Sequence, residues 1–168
     1  MNLRIWFGHQ IGLIEMAKNQ CAEIERWIVK YANSARKKRG ISPFRTNWGL
    51  TKIARSHSGK MARARKIWHG DGVHQAGSSL THKTFWDFIK SIFYRGCSGE
   101  NVGLMYKGRV KGFKHTIRTT KDIALAQHKS WMRSPGHRAN MLNSDFSLIG
   151  VGVVRNKNGY YCTQLFYG

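Results

Sequence analysis

A hairpin pattern at the C-terminal end most constrains the fold of this chain. Two runs rich in β-branched and aromatic residues, 149–155 and 160–167, flank a turn sequence that ends in Asn158-Gly159. An Asn-Gly pair between such runs favours the positive φ angles of a hairpin turn. The sequence therefore predicts that the chain ends in two paired antiparallel strands.

Helical patterns precede this hairpin. Apolar residues recur at helical spacing in the early segments, and Thr119 or Thr120 can cap a later helix with Asp122 in its first turn. The predicted helices span about 21–37, 47–67, 84–94, 119–132 and 135–142. A strand or hairpin is expected around Val102–Tyr106. Several helices followed by a terminal hairpin predict an α+β fold.

Length and composition predict one globular domain. Hydrophobic residues make up 41% of the 168 residues, and 2 prolines leave no proline-rich linker. Residues 1–20 show no clear periodicity and are predicted to be an N-terminal extension, which leaves 21–168 as the domain. No stretch of about 20 apolar residues occurs, so no transmembrane helix is expected. The interrupted apolar run at the N-terminus is a poor signal peptide.

The charge balance indicates an anionic partner. Lys and Arg total 29 against 8 Asp and Glu, which gives a formal net charge of +21. Such a surface attracts nucleic acid, anionic lipid headgroups and acidic polymers without choosing among them. The densest basic stretch, 107–121, includes one Phe and is a candidate contact. A solvated basic face that keeps the protein soluble explains the charge equally well.

Short motifs follow one another in order along the chain. An N-x-x-R motif at Asn33–Arg36 and an L-x-x-x-A motif at Leu50–Ala54 come first. The later motifs are Trp68-His69-Gly70, Gly99-Glu100-Asn101, a W-x-x-S-P-G-H-R-x-N-x-L run at 131–142 and a T-Q-x-F run at 163–166. This succession resembles the CAP superfamily of cysteine-rich secretory proteins, venom allergens and plant pathogenesis-related proteins, and above all its microbial branch. The resemblance covers residues 21–168.

The resemblance implies a fold and a site. The fold would be an α-β-α sandwich with a small antiparallel sheet between helices and a large open cleft. The family's two cleft histidines fall on His69 and His137, and the glutamate of its G-E-N motif falls on Glu100. Ser134 stands where eukaryotic relatives carry a second acidic residue, and a hydroxyl supplies no charge. Ser134 and Asn101 are predicted to support the cleft.

The chemistry of these three residues allows a metal site. Two imidazoles and one carboxylate can hold Zn²⁺, or another divalent cation, with an open fourth position where a bound water becomes more acidic. Without a metal, a His–Glu–His cluster can act as acid and base near neutral pH. The alternative is a hydrogen-bonded cluster that only organises the cleft floor. His69, Glu100 and His137 would be the catalytic residues only if the protein is an enzyme.

The sequence leaves three hypotheses about the function. The leading one is a binding module whose cleft holds a small apolar molecule, a glycan or a peptide, while the basic face holds an anionic surface or polymer. The resemblance also implies lipid or sterol binding and an extracellular or cell-surface location. The second is a metal-dependent hydrolase or peptidase acting at the cleft, and the missing fourth carboxylate counts against it. The third is charge-driven binding of nucleic acid or anionic lipid.

Two further histidines are predicted to be structural, and the cysteines are predicted to form at most one disulfide. His57 and His128 lie on apolar helix faces and are expected to be hydrogen-bonded core histidines. The three cysteines do not form a disulfide framework, and Cys97 with Cys162 is the one pairing that the strand pattern favours.

Overall fold

The part of the chain that the structure describes contains four helices and four strands. The computed structural model describes residues 3–70 and 98–168. In chain order the elements are α1 (Leu3–Lys37), β1 (Arg45–Thr46), α2 (Trp48–Ala64), β2 (Ser98–Met105), α3 (Thr120–Arg133), α4 (Pro135–Leu142), β3 (Leu148–Asn156) and β4 (Gly159–Tyr167). None of the described helices has the length and apolarity needed to cross a membrane.

The sheet contains four strands in the order β1-β3-β4-β2. β4 pairs antiparallel with both β3 and β2 along their whole lengths. The two-residue β1 pairs parallel with the start of β3, through Arg45 opposite Leu148. The antiparallel sheet is therefore confirmed for the three long strands, and β1 makes the sheet as a whole mixed.

The predicted C-terminal hairpin is present. Asn156 pairs with Gly159 at its end, and Gly159 has a φ of +139°. The Asn156 side chain accepts a hydrogen bond from the Asn158 N–H at 2.7 Å, which closes the turn. The predicted start of the helix at 119 is also confirmed, because Thr119 and Asp122 form a reciprocal capping box.

Helices cover both faces of the sheet. Tyr161 packs with α2 through Met61, whereas Cys162 and Phe166 belong to the larger cluster that α1 and α3 fill. Successive side chains of a strand point to opposite faces, so β4 contributes to two separate core layers. The α-β-α sandwich is thus confirmed, with α2 on one face and α1 and α3 on the other.

Two glycines of β3 let α2 lie directly on the sheet. A Cβ at Gly150 or Gly152 would overlap the α2 backbone near Leu50 and Ala54. Ser58 of α2 then hydrogen-bonds the Gly152 carbonyl oxygen at 2.9 Å. This close approach fixes the position of α2 on the sheet. His69 follows the C-terminal end of that helix.

Arg36 is a buried guanidinium that holds the chain together at the end of α1. It is 1% exposed. Its Nε donates to the Ser42 carbonyl oxygen at 2.7 Å, Nη1 to those of Met141 and Asn143 at 3.2 and 2.7 Å, and Nη2 to that of Phe146 at 2.8 Å. One side chain thereby fixes the connection between α4 and β3.

Asn33, the other named residue of the N-x-x-R motif, is structural as well. Its side chain donates to the Phe44 carbonyl oxygen at 3.1 Å and accepts from the Phe44 N–H at 2.8 Å. The Arg36 guanidinium stacks on the Phe44 ring at 3.8 Å. The motif therefore fixes the loop before β1, through hydrogen bonds to its backbone and stacking on its aromatic ring.

Three expectations need correction or lie outside the described residues. Helix α1 begins at Leu3 rather than near Cys21, because a nucleated helix extends at small cost through a segment without proline, even one that lacks an apolar face. The helix predicted at 84–94 falls outside the described residues. Cys162 is a buried free thiol, and Cys97, its expected disulfide partner, lies outside the described residues.

His128 is buried as predicted but is not fully hydrogen-bonded. It is 9% exposed and packs on the Tyr31 ring, with the ring centroids 5.8 Å apart. Within the described residues its Nδ1 has no hydrogen-bond partner. Burial, with a smaller contribution from the charge of Lys129, lowers the pKa of His128 from 6.5 to about 4.

Replacing Arg36 with Lys should destabilise the protein by about 3 kcal/mol, because an ammonium cannot reach four carbonyl oxygens that the guanidinium fork satisfies together. Urea unfolding measures the loss. Arg39→Lys, at an exposed position three residues later, is the matched control and should leave the free energy of unfolding unchanged. Equal effects of the two changes would show that the Arg36 hydrogen bonds contribute no more than a surface charge.

Stability should fall as the pH drops from about 7 to about 5. The folded His128 stays neutral there while the unfolded one is protonated, so the free energy of unfolding decreases by about 2 kcal/mol through this residue. His128→Phe should remove that component, and His115→Phe, at an exposed position, should retain it. A pH dependence of urea unfolding that is unchanged in His128→Phe would contradict the assignment.

Candidate functional site

Three segments meet at the edge strand β2 and bring the predicted site residues together. Glu100 lies in β2, His69 follows the end of α2, and His137 lies in the first turn of α4. Among the described strands β2 pairs with β4 alone, and its carbonyl oxygens also accept side-chain hydrogen bonds from Trp131 of α3 and Asn140 of α4. The three residues are far apart in sequence and adjacent in the fold.

Glu100 is a buried carboxylate, 1% exposed, held by the segment that follows α2. Its Oε1 accepts a hydrogen bond from the Gly70 N–H at 2.8 Å and lies 3.0 Å from His69 Nδ1. A carboxylate can leave water only where donors replace the lost hydration. The short chain Trp68-His69-Gly70 supplies those donors and thereby fixes the site.

His69 is the exposed member of this pair. Its side chain is 41% exposed, against 1% for Glu100. An ionised carboxylate only accepts hydrogen bonds, so we infer that the ring proton of His69 lies on Nδ1. Nε2 is then the acceptor nitrogen on the far side of the ring. A carboxylate that sets the orientation and tautomer of an imidazole commonly supports a functional histidine.

His137 lies beside His69, with ring centroids 5.9 Å apart and ring planes at 39°. Asn101, fully buried, donates from Nδ2 to the His137 carbonyl oxygen at 3.0 Å. Asn140 donates to Asn101 Oδ1 and to the Glu100 carbonyl oxygen, both at 3.0 Å. These bonds attach the first turns of α4 to β2 and so hold His137 opposite His69.

His57 approaches the same carboxylate from α2. It is buried, and its Nε2 lies 2.9 Å from the Trp68 carbonyl oxygen, which agrees with the predicted hydrogen-bonded core histidine. The same nitrogen is 3.9 Å from Glu100 Oε2. Glu100 therefore has an imidazole near each of its oxygens, His69 on the exposed side and His57 on the buried side.

Ser134 occupies the junction between α3 and α4. Its backbone is extended at the N-cap position of α4, and its N–H donates to the Trp131 carbonyl oxygen at 3.1 Å. Its side chain makes no capping hydrogen bond. Pro135 at the first position of α4 sets the helix start instead. A cleft-supporting role for the Ser134 hydroxyl stays a prediction.

The described residues do not present a three-ligand metal centre. No group of three His, Cys, Asp or Glu side chains among them is arranged to hold an ion. Glu100 Oε1, the oxygen nearest to His69, is already engaged by His69 and Gly70. A Zn²⁺ centre needs its ligands to face one point, and this arrangement does not fit that need. The predicted metal site stays a prediction.

The family assignment agrees with this geometry. A family model described as the cysteine-rich secretory protein family, or CAP, matches residues 29–166. The chain belongs to this family. The CAP match includes all three candidate site residues, and it begins within α1, after the predicted N-terminal extension.

Bacterial proteins supply the relatives. The uncharacterized protein YkwD of Bacillus subtilis is 30% identical over 152 residues, which cover 90% of this chain and 50% of YkwD. This CAP chain therefore spans about half the length of that relative. Together with the family model, this bacterial similarity confirms the microbial branch of the superfamily.

Solved structures share the fold. An extracellular protein with an SCP domain from Bacillus anthracis matches with a TM-score of 0.61 and 22% identity, over 90% of this chain and 42% of that one. An outer surface protein of Borrelia burgdorferi matches with a TM-score of 0.59 and 17% identity, over 86% and 92%. A cysteine-rich secretory protein of Staphylococcus aureus gives 0.53 and 20%, over 92% and 40%. These identities establish the fold only.

Sequence reasoning missed Gly70, Asn140 and the second contact of His57. Asn140 carried a signal, because it lies three residues after His137 and so on the same helix face. Gly70 contributes a backbone N–H, which no residue pattern reveals. The contact of His57 with Glu100 depends on where the chain goes after α2, and helical periodicity gives no information on that.

Proposed function

We propose that the exposed edge formed by His69 and His137 is a ligand-binding site for polar groups of a peptide or a glycan. The observation that carries this proposal is the buried Glu100 carboxylate behind the exposed His69 ring. A structural histidine has no need of exposure, whereas a recognition histidine needs a fixed ring and an accessible edge. Glu100 fixes the His69 ring through its hydrogen bond, and the exposed position of His69 makes the edge of that ring accessible.

The two imidazoles favour a ligand with hydroxyl or amide groups. Their rings are 5.9 Å apart, and a hydrogen bond spans about 3 Å, so one ligand group can interact with both. A neutral imidazole both donates and accepts, which matches hydroxyl and amide groups equally. A purely apolar molecule would desolvate the exposed His69 ring and offer it no polar group in return. A peptide or glycan is therefore the preferred ligand among the three classes.

The proposed location is extracellular or at the cell surface. The Bacillus anthracis and Borrelia burgdorferi structures belong to an extracellular protein and an outer surface protein. Peptides and glycans are abundant in that compartment. The proposal assigns the net charge of +21 to holding the protein near anionic polymers there.

A hydrolase acting at the same residues is the second candidate, and one observation favours it. A buried carboxylate on Nδ1 of an exposed histidine is also the arrangement that prepares a general base. The proposed hydrolase would cleave the bound peptide. It requires that His137→Ala abolishes turnover while Lys107→Ala leaves turnover intact. Turnover that survives His69→Ala and His137→Ala would end this candidate.

The binding proposal predicts ligand-dependent NMR shifts at the histidine rings. A panel of short peptides and short glycans is titrated into the protein, and the ring resonances of His69 and His137 are followed. At least one panel member should shift both rings in a saturable way. The double variant His69→Ala/His137→Ala should bind it at least about tenfold more weakly, because two hydrogen bonds are lost.

His115→Ala is the matched control, since it removes an exposed histidine outside the site. It should leave the affinity unchanged. Shifts that appear only away from His69 and His137, or an affinity that the double variant retains, would contradict the proposal.

A further inference from the structure

A concave surface lies at the C-terminal end of α2, where the helix meets the tip of the β3–β4 hairpin. It encloses about 380 Å³. Three cationic residues line it, and no carboxylate does: Arg63, Arg65 and Lys157. All three are exposed. Arg155 borders the surface as well, but its guanidinium lies beside Gln20 of α1 and the Tyr160 ring. We name this surface the basic groove and define it by Arg63, Arg65 and Lys157.

We propose that the basic groove binds successive phosphate groups of a linear polyanion. Three like charges around one concavity repel one another, and a bound polyanion removes that repulsion while releasing its counterions. Two of the three cations are arginines, whose planar forks match the oxygens of a phosphate group. The residues come from two elements, so the groove is not merely the basic end of one helix.

The backbone conformation of Arg65 is a second observation about the groove, independent of its charge. It ends α2 in the left-handed conformation, with a φ of 55°, and its N–H donates to the Met61 carbonyl oxygen. Glycine is the residue that usually fills this position, since a side chain is strained there. An arginine at this position keeps a positive charge at the groove, although a glycine would end the helix with less strain. Among the described non-glycine residues it is the one with a positive φ.

The walls of the groove are fixed relative to each other. Asn156, at the end of β3, donates from its side chain to the Ala62 carbonyl oxygen in the last turn of α2. The same side chain accepts from the Asn158 N–H and shapes the hairpin tip. Arg63 and Lys157 are therefore carried on segments that are joined directly. A preformed concavity suits a single chain of phosphates better than a flat membrane surface.

The other basic region differs in its chemistry. The segment 107–121 borders a cavity of about 250 Å³ that includes Asp122 and apolar side chains, and Arg133 there stacks on Phe113. Its cations provide a matched control of equal charge. Lys107, Arg109 and Lys111 are absent from the residues that line either cavity.

The test uses the full chain and two soluble probes. A fluorescein-labelled oligothymidylate reports binding by anisotropy across a series of salt concentrations, and unlabelled inorganic polyphosphate competes with it. The groove variant is Arg63→Gln/Arg65→Asn/Lys157→Gln, in which Asn suits the left-handed position. The control variant is Lys107→Gln/Arg109→Gln/Lys111→Gln. Thermal unfolding verifies that both are folded, and Arg63→Gln and Lys157→Gln alone replace the triple variant if it is unstable.

Log affinity falls as log salt rises, and the groove variant should make this negative slope shallower by about 2. Each phosphate contact of a single strand contributes about 0.7 to its steepness, and the variant removes three cations. The control variant should change that slope far less. Competition by polyphosphate would show that phosphate alone is recognised, and groove-dependent binding without such competition would identify nucleic acid as the source. Equal slope changes in both variants would overturn the proposal. So would a wild-type chain that binds neither the oligothymidylate nor polyphosphate.

Discussion

Burial of the Glu100 carboxylate is the constraint on which the candidate site depends. Its side chain requires the Gly70 N–H and the His69 ring, and its backbone carbonyl oxygen accepts from Asn140 of α4. The segment after α2 must therefore meet the edge strand before this charge is satisfied, and α4 is attached to the same residue through its carbonyl oxygen. Arg36 serves the opposite end of α4 in the same way, with four carbonyl oxygens around one buried cation.

Local chemistry made part of the fold predictable. The hairpin at Asn158-Gly159 and the capping box at Thr119 depend on residues close in sequence, and both are present. The start of α1 and the parallel strand β1 were not predictable in this way. β1 is two residues long and exists because Arg45 meets Leu148 across the fold, and no local pattern encodes such a pairing.

The site was predictable only through motifs. His69 and Glu100 are separated by 31 residues, so spacing alone could not join them. The resemblance supplied His69, Glu100 and His137, and the structure places them together. It also shows what the motifs do: Asn101 of the G-E-N motif orients α4, and Arg36 of the N-x-x-R motif anchors it. His57 enters the site because α2 lies directly on the β3 glycines, which is a property of packing.

The central claim is that buried Glu100 fixes the exposed His69 ring with its proton on Nδ1. Long-range proton–nitrogen NMR of the histidine rings tests it directly at a pH where the rings are neutral, with the exposed His115 as an internal reference. The account predicts that His69 is the Nδ1–H tautomer in the wild type and loses this preference in Glu100→Ala. A His69 ring protonated on Nε2 in the wild type, or a tautomer unchanged by Glu100→Ala, would contradict it.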